Sequence, residues 1–407
     1  MSRALRLCAA AGVAAMLAVV PAAAAPPSLQ AKAAFLVQPD TRDVIYARHP
    51  DARRPIASTT KIMTALVALD HFKLSQTITV PPYTPEAGES LVGLRTGERM
   101  SFADLLRAMM LPSANDAAHA VAVSEAGSVP AFVALMNRRA KELGLHNTHF
   151  SNPIGLDEAG NYSSARDIVE LALLLRRNPF IRGIVDESRA ELKTGLRPRI
   201  VVNRNDLVAR YSFVNGVKTG HTIDAGYVLV GSATRHGVTV LSSVLGDPSI
   251  AARDADSIAL LRYGLSLYHR VTAVHTNRAL ATPSVKDEGD THARLVAAQP
   301  LSAVVRRGEK LRVRVVGAPG QVSGPLPAGR REGTVELLRR GQVVARTALV
   351  TAASVPKPTI TQRVRAWVGR PLTILLLVVL ALCTVQVVLL RRRVIRGRRR
   401  ARGADVQ

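Results

Sequence analysis

The chain has 407 residues, of which 47% are hydrophobic and 4% aromatic, and its formal net charge is +25 at pH 7. This length allows more than one domain, and the hydrophobic content allows a sizeable core. We expect no nucleic-acid partner, because no basic face is interleaved with aromatic residues and no DNA-binding motif is present; the charge instead suits an anionic cell surface.

The N-terminus has the three regions of a secretory signal peptide, which we predict over residues 1–25. Arg3 and Arg6 supply positive charge, Leu7–Val20 is apolar, and Ala22–Ala25 provides an Ala-x-Ala cleavage site. An uncleaved membrane helix is the alternative, which the short apolar run disfavours. The cysteines stand at positions 8 and 383, so the exported part of the chain between them cannot form disulfides.

Residues 26–270 have the pattern of one α+β domain, an antiparallel sheet with helices on its faces. Two strands come first, an apolar helix follows, and further helices precede a change to alternating hydrophobicity near Val201. The predicted strands are Ala33–Val37, Val44–Ala47, Phe213–His221, Tyr227–Ala233 and Val238–Leu245. The predicted helices are Ile62–Leu69, Phe102–Leu111, Ala117–Ala126, Val129–Leu143, Ala165–Arg177 and Ser257–Tyr268.

Beyond this domain the pattern predicts four further parts. Residues 271–355 carry short valine-rich runs between Gly and Pro turns, which is typical of a small all-β domain, and residues 356–371 form a linker. The apolar stretch 372–390 can cross about 30 Å of hydrocarbon as a transmembrane helix. The arginine-rich tail, residues 391–407, places the C-terminus in the cytoplasm and the preceding domains outside.

The first motif with chemical content is Ser58-x-x-Lys61, at the start of the apolar helix. Side chains three residues apart share one face of a helix, so the hydroxyl and the amine can touch. The helix N-terminus favours negative charge that develops on an attacked carbonyl. These features predict a serine acyl-transfer site with a lysine base. A second match, Ser354 to Lys357, contains Pro356 and precedes no apolar run, so we interpret it as chance.

Two later motifs complete a set with the first. Ser113-Ala114-Asn115 follows a predicted helix, and Lys218-Thr219-Gly220 lies on a predicted strand that two others follow. In this order, the three motifs are the signature of penicillin-binding proteins and class A β-lactamases. Another Lys-Thr-Gly begins at Lys193, but no strand pattern follows it. We therefore predict that Lys218 is the functional lysine.

Together with Ile56–Leu66, Asn152–Leu156, Gly216–Thr222 and Ala225-Gly226, these motifs resemble the D-alanyl-D-alanine carboxypeptidases, the low-molecular-weight penicillin-binding serine peptidases. The resemblance is strong over residues 33–246 and weak through the β-rich part. It implies a β-lactamase/transpeptidase-like fold, a peptidoglycan stem peptide ending in D-Ala-D-Ala as substrate, acylation by β-lactam antibiotics and no cofactor. Such proteins often end in an amphipathic membrane-surface helix, which a full span replaces here. We expect a single-pass cell-membrane protein whose catalytic domain is extracytoplasmic.

The predicted catalytic residues are Ser58, Lys61 and Ser113. Lysine can lose its charge when it is desolvated and crowded by a second cation, which arginine cannot. Neutral Lys61 would take the proton of Ser58 as Oγ attacks the penultimate D-Ala carbonyl. Ser113 would pass a proton to the leaving D-Ala amine. Water would then hydrolyse the acyl-enzyme, with Lys61 as the base.

The predicted substrate-binding residues come from the other two motifs. Asn115 would orient the lysine and the substrate amide, and Lys218 and Thr219 would bind the terminal carboxylate. Gly220 would leave room for substrate along the strand. By the resemblance, the backbone N–H of His221 would complete an oxyanion hole with that of the nucleophile.

Other functions stay open at this point. A class A β-lactamase needs a Glu that activates the deacylating water, and Glu158 before Asn161 lacks the expected spacing. A catalytically silent penicillin-binding or wall-binding protein would not need all three motifs. A D,D-endopeptidase is chemically close. The histidines lack metal-ligand spacing, so we predict no metal site.

Overall fold

The computed structural model describes residues 25–288 and 290–404. The predicted signal peptide, except Ala25, lies outside the described residues, as does the end of the basic tail. The chain divides into two compact units, one ending at His269 and the other beginning at Arg270.

The first unit is built on strands and helices that alternate along the chain. Its strands are β1 (Ala33–Gln38), β2 (Asp43–Arg48), β3 (Thr77–Thr79), β4 (Arg99–Ser101), β5 (Arg189–Leu192), β6 (Arg199–Val202), β7 (Val214–Thr222), β8 (Gly226–Arg235) and β9 (Val238–Asp247). Its helices are α1 (Lys61–His71), α2 (Phe102–Met110), α3 (Asn115–Ala126), α4 (Val129–Glu142), α5 (Ala165–Leu175), α6 (Pro179–Ile184), α7 (Leu207–Arg210) and α8 (Ile250–Leu267).

A five-stranded antiparallel sheet in the order β2-β1-β9-β8-β7 forms the centre of this unit. Side chains of successive residues leave the sheet on opposite faces. Phe35 accordingly packs in one core with helices α1 to α5, and Leu36 packs in a second core with Leu261 of α8. Because both faces are covered, all of β1 is buried. The predicted antiparallel sheet with helices on both faces is confirmed.

Some predicted boundaries are wrong. Helix α8 begins at Ile250 rather than Ser257, after a cap in which the Ser249 hydroxyl accepts from the Ala252 N–H. Helix α3 begins at Asn115, two residues earlier than predicted. The hairpin β5–β6 was not predicted, because Ile200 and Val202 are exposed and hide the alternation expected of a strand.

The second unit contains short strands and two C-terminal helices. Its sheets include a five-stranded one in the order β11-β13-β18-β17-β15, whose inward side chains form a core of Leu and Val residues. The strands are β10 (Tyr268–Val274, across the boundary), β11 (Ala279–Ala281), β12 (Ser284–Val285), β13 (Leu295–Ala297), β14 (Leu301–Arg306), β15 (Leu311–Val316), β16 (Gln321–Val322), β17 (Arg331–Arg339) and β18 (Gln342–Thr351), and the helices are α9 (Ile360–Val368) and α10 (Pro371–Ala404).

The two C-terminal helices expose apolar side chains. In α9, which a capping box at Thr359 starts, Ile360, Val364 and Trp367 are exposed at helical spacing. The chain therefore has an amphipathic helix in addition to the apolar one. Residues Pro371–Arg396 of α10 form a helix long and apolar enough to cross a membrane.

Candidate active site

Ser58 lies in a single turn of 3-10 helix, Ala57–Thr60, that leads directly into α1. Ala57 has a left-handed backbone (φ 46°), and the Thr59 hydroxyl donates to the Ile56 carbonyl at 2.6 Å. The neighbours of Ser58 in this turn are buried, whereas Ser58 itself is partly exposed. The turn therefore presents one hydroxyl at the N-terminal end of a buried helix, as the sequence predicts.

Lys61 is fully buried, and its amine contacts three oxygens. Nζ lies 3.0 Å from Ser58 Oγ, 2.6 Å from Asn115 Oδ1 and 2.5 Å from the Ile154 carbonyl oxygen. The amide and carbonyl oxygens can only accept, whereas a hydroxyl can also donate. A neutral amine at this position donates to Asn115 and Ile154, so its lone pair is left facing the Ser58 hydroxyl.

The electrostatics of the site favour that neutral amine. Burial, assisted by the charge of Arg204, lowers the pKa of Lys61 to about 7, against the opposing effect of Glu89 and Asp116. An amine with a pKa near the ambient pH is suited to act as a general base.

The turn Asn152–Leu156 supplies one of the acceptors of the Lys61 amine. The Asn152 side-chain oxygen accepts from the backbone N–H groups of Ile154, Gly155 and Leu156, which directs the Ile154 carbonyl at Lys61. Gly155 has φ 85°, and a Cβ built there would lie 2.1 Å from the Ala57 carbonyl oxygen. Only glycine allows this turn to pack against the nucleophile turn.

Ser113 and Asn115 occupy the N-terminal end of α3. Ser113 has a left-handed backbone (φ 69°), and its hydroxyl is buried without a hydrogen-bond partner among the described residues. Asn115 is buried, with Oδ1 toward Lys61 and Nδ2 toward Glu89 Oε2 at 2.7 Å. Because a carboxylate can only accept, Glu89 binds the Nδ2 end of the Asn115 amide and leaves Oδ1 facing Lys61.

The third motif lies on β7, beside the nucleophile turn. Lys218 is 1% exposed, and its Nζ donates to the Thr219 carbonyl at 2.9 Å. A Cβ on Gly220 would lie 3.0 Å from the Ile56 carbonyl oxygen and 3.1 Å from the Ser58 nitrogen. The strand and the turn thus approach so closely that a side chain would force a shift of a few tenths of an ångström, which is a constraint on this glycine in addition to the predicted room for substrate. His221 follows, exposed and stacked on Tyr227 at 4.1 Å.

Two arginines that the sequence did not single out belong to this site. Arg204 and Arg253 line the same cleft as Thr219. Burial lowers the pKa of Lys218 well below its usual value, and the charges of Lys61, Arg204 and Arg253 lower it further. In a chain with so many arginines, no spacing distinguishes these two before folding.

A cleft of about 510 Å³ joins the motifs. Five of the predicted residues line it, namely Ser58, Ser113, Thr219, Gly220 and His221. The other three, Lys61, Asn115 and Lys218, are buried. The cleft contains the Ser58 hydroxyl, next to the buried Lys61 amine, and the cations Arg204 and Arg253. It can therefore hold an acyl substrate that carries a negative charge.

The alternative motifs do not belong to this cleft. Thr194 of the other Lys-Thr-Gly donates from both its N–H and its hydroxyl to Asp104, in the turn of the β5–β6 hairpin. A strand does follow Lys193, contrary to prediction, but the motif lies in the turn between β5 and β6 and binds Asp104 rather than lining the cleft. Val355 of the second Ser-x-x-Lys forms a β-bridge with Leu326 and is not helical. The Glu158 carboxylate binds the Asn152 amide at 2.8 Å.

Comparisons with known proteins agree on one family. The family model described as D-alanyl-D-alanine carboxypeptidase matches residues 20–249. The chain is 32% identical over 336 residues to the D-alanyl-D-alanine carboxypeptidase DacF of Bacillus subtilis, an alignment that covers 81% of this chain and 86% of that protein. It is 31% identical over 348 residues to the D-alanyl-D-alanine carboxypeptidase DacA of Escherichia coli, covering 81% and 85%.

Solved structures give the same result. The D-alanyl-D-alanine carboxypeptidase DacD of Francisella tularensis superposes with a TM-score of 0.59 at 26% identity and covers 82% of this chain and 95% of its own. Penicillin binding protein 5 of Haemophilus influenzae superposes with a TM-score of 0.58 at 28% identity, covering 82% and 100%.

Proposed function

The chain belongs to the D-alanyl-D-alanine carboxypeptidase family, and from this premise we propose that it removes the terminal D-alanine of peptidoglycan stem peptides through an acyl-enzyme on Ser58. It is a serine-type hydrolase, and penicillins acylate the same serine. The observation that carries the assignment of Ser58 is the buried amine 3.0 Å from its hydroxyl, with acceptor-only partners on the other side.

In the acylation step, neutral Lys61 takes the proton of Ser58 while Oγ attacks the penultimate carbonyl. The backbone N–H of Ser58, beside β7, and that of His221 would stabilise the oxyanion. The peptide C–N bond then breaks, and the Ser113 hydroxyl relays a proton to the departing amine and takes the proton held by Lys61 in its place, which leaves Lys61 neutral again. The unpartnered, buried state of that hydroxyl supports this role, because a substrate amine would be its partner.

The positive end of the cleft accounts for the preference for a terminal carboxylate. Burial lowers the pKa of Lys218 well below its usual value, and repulsion by the charges of Lys61, Arg204 and Arg253 lowers it further. A carboxylate relieves this repulsion, and Thr219 adds a hydroxyl donor. After the first D-alanine departs, water activated by Lys61 attacks the ester carbonyl, and Ser58 Oγ leaves with a proton.

The test is intact-mass spectrometry of the detergent-purified full chain after incubation with penicillin, with parallel measurement of D-alanine released from a peptide ending in D-Ala-D-Ala. We expect an adduct and D-alanine release from the parent and from Ser124→Ala, a surface control, and neither from Ser58→Ala. Rapid penicillin turnover without D-alanine release would indicate a β-lactamase. Absence of any adduct on the parent would refute the catalytic assignment and favour a binding protein.

The mode of membrane attachment is part of the proposal. We infer a cleaved signal peptide over residues 1–25, a peptidase domain over 26–270, a small β domain over 271–355, a linker and one span over 372–390, with the basic tail in the cytoplasm. The apolar helix Pro371–Arg396 and the arginines that follow it support this arrangement. A chain ending at Lys357 should appear in the soluble fraction, whereas the full chain should sediment with membranes.

A further inference from the structure

The Asn115 amide connects the active site to a carboxylate that none of the three motifs contains. Asn115 receives a hydrogen bond from Lys61 and donates one to Glu89 Oε2 at 2.7 Å. Glu89 is held from its other side by the Tyr83 hydroxyl, which donates to Oε2, and by the Glu86 N–H, which donates to Oε1 at 2.7 Å. Hydrogen bonds therefore run without a break from Ser58 to the carboxylate.

The loop that carries Glu89 is attached to the start of α3. The Asn115 N–H donates to the Ser90 carbonyl at 2.7 Å. The Asp116 carboxylate accepts from the N–H groups of Val92 and Leu94 at 3.2 and 3.0 Å. Because these bonds hold the loop to the same helix turn as the amide, Glu89 and Asn115 keep a constant separation.

An asparagine amide has two ends of similar shape and opposite hydrogen-bonding character. With Nδ2 bound to a carboxylate, Oδ1 must face Lys61 and must accept from it. If the amide turned over, its oxygen would meet the carboxylate, which is a repulsive contact, and its N–H groups would meet the lysine and could donate to the amine lone pair. Glu89 thus excludes the one orientation in which the amine lone pair would be consumed by Asn115.

The charge of Glu89 also assists the transfer of the Ser58 proton to Lys61. Proton transfer from Ser58 places a positive charge on a fully buried amine, which a nearby carboxylate stabilises. The charged groups that act on Lys61 are Glu89 and Asp116, which favour its protonation, and Arg204, which opposes it, while Lys61 in turn acts on buried Lys218. The titratable groups that face Glu89 besides Lys61 are Tyr83, Glu86 and His119.

We propose that Glu89, held by Tyr83, is a positioning residue for acylation that orients the Asn115 amide and stabilises the proton on Lys61. This inference rests on the proposed function, since it requires Lys61 to be the base for Ser58. Glu89 lies in a loop without a sequence motif, so it could be recognised only after folding.

The experiment measures the second-order rate of penicillin acylation between pH 5 and 9 for the full chain and its variants. Glu89→Gln keeps the acceptor oxygen and removes the charge, and Glu89→Asp keeps the charge and shortens the reach. We expect Glu89→Gln to move the acidic limb to lower pH by about 0.5–1 unit. We expect Glu89→Asp and Tyr83→Phe to slow acylation by about tenfold or more, through a misplaced amide, with a smaller shift of that limb.

Two variants serve as controls. Glu86→Gln removes an exposed carboxylate three residues away and should retain the parent profile. His119→Gln should also retain the acidic limb, because the imidazole, whose ring lies 4.6 Å from that of Tyr83, is not the titrating base.

A Glu89→Gln limb that coincides with that of the parent would overturn the proposal, as would a Glu89→Gln rate that is lower than the parent's by one factor at every pH, which indicates structural support alone. A parent chain that forms no adduct would refute the proposed function itself, a result that the two cases above do not give.

Discussion

Replacing Gly155 by alanine should disable the site without removing any group that reacts. Gly155 has φ 85°, where an L-residue costs about 1–2 kcal/mol. The new Cβ would lie 2.1 Å from the Ala57 carbonyl oxygen, whereas ordinary contacts begin at 3.4 Å, so the two turns must separate by at least 1.3 Å. A displacement of about 1 Å costs about a hundredfold in rate when it misplaces a reacting group.

Gly144→Ala is the matched control. Gly144 also has a left-handed backbone, φ 70°, but nothing lies within 4 Å of its Cβ position. Gly144→Ala should therefore lose only the stability that corresponds to the unfavourable backbone conformation. Each kcal/mol of that loss lowers the midpoint of thermal inactivation by about 2–4 °C. We expect normal acylation from Gly144→Ala below that midpoint, and acylation slower by about a hundredfold from Gly155→Ala.

The assay is the rate of labelling by a fluorescent penicillin at a fixed temperature, together with the temperature at which preheated protein loses half its labelling. If Gly155→Ala labels as fast as Gly144→Ala and shows the same midpoint, the contact between the two turns does not position the nucleophile, and the reasoning is wrong.

Two other predictions follow from the lysines. Burial lowers the pKa of Lys61 to about 7, and the neutral amine is the base, so the acylation rate should increase as the pH rises through about 7. Stopped-flow labelling at several pH values would measure this increase. A rate independent of pH from 5 to 9 would contradict it. Of the two Lys-Thr-Gly motifs, Lys218→Ala should reduce D-alanine release by about a hundredfold or more, whereas Lys193→Ala should leave it unchanged, as a D-alanine assay would show; equal losses would mean that the strand context misled us.

The sequence predicted the central elements of the fold because their patterns are local. Strands β8 and β9 are rich in Val and Leu and buried along most of their length, and α1 is apolar nearly all round and mostly buried, so each pattern matched its final environment. The hairpin β5–β6 escaped because its exposed face carries Ile200 and Val202. The start of α8 escaped because Arg253, Asp254 and Asp256, which are buried in the structure, interrupt the apolar pattern that follows the Ser249 cap. The β5–β6 hairpin and the start of α8 both depend on which other segments pack against them. A local sequence pattern does not contain that information.

The same distinction holds for the candidate site. Motif spacing singled out Ser58, Lys61 and Lys218, and the structure places Ser58 in the cleft with the two lysines buried next to it. Glu89, Arg204 and Arg253 have no such spacing. Their relevance arises from distance in three dimensions, and charged residues are common in this chain. The close approach of β7 to the nucleophile turn at Gly220 was also missed, because it is a tertiary contact.

The place of β1 in the central sheet has a consequence for the biogenesis of the protein. This strand is the first of the domain, yet it lies in the interior of the sheet and pairs along one edge with β9, where Ala33 is opposite Leu245. A polypeptide that crosses a membrane N-terminus first must therefore keep that edge open until nearly the whole domain has emerged. Long-range pairing of this kind is slow to form. If the domain is exported as proposed, its hydrolytic activity should appear late in export, after the last central strand arrives, and an export-arrested chain truncated before β9 should be inactive and a substrate for proteolysis.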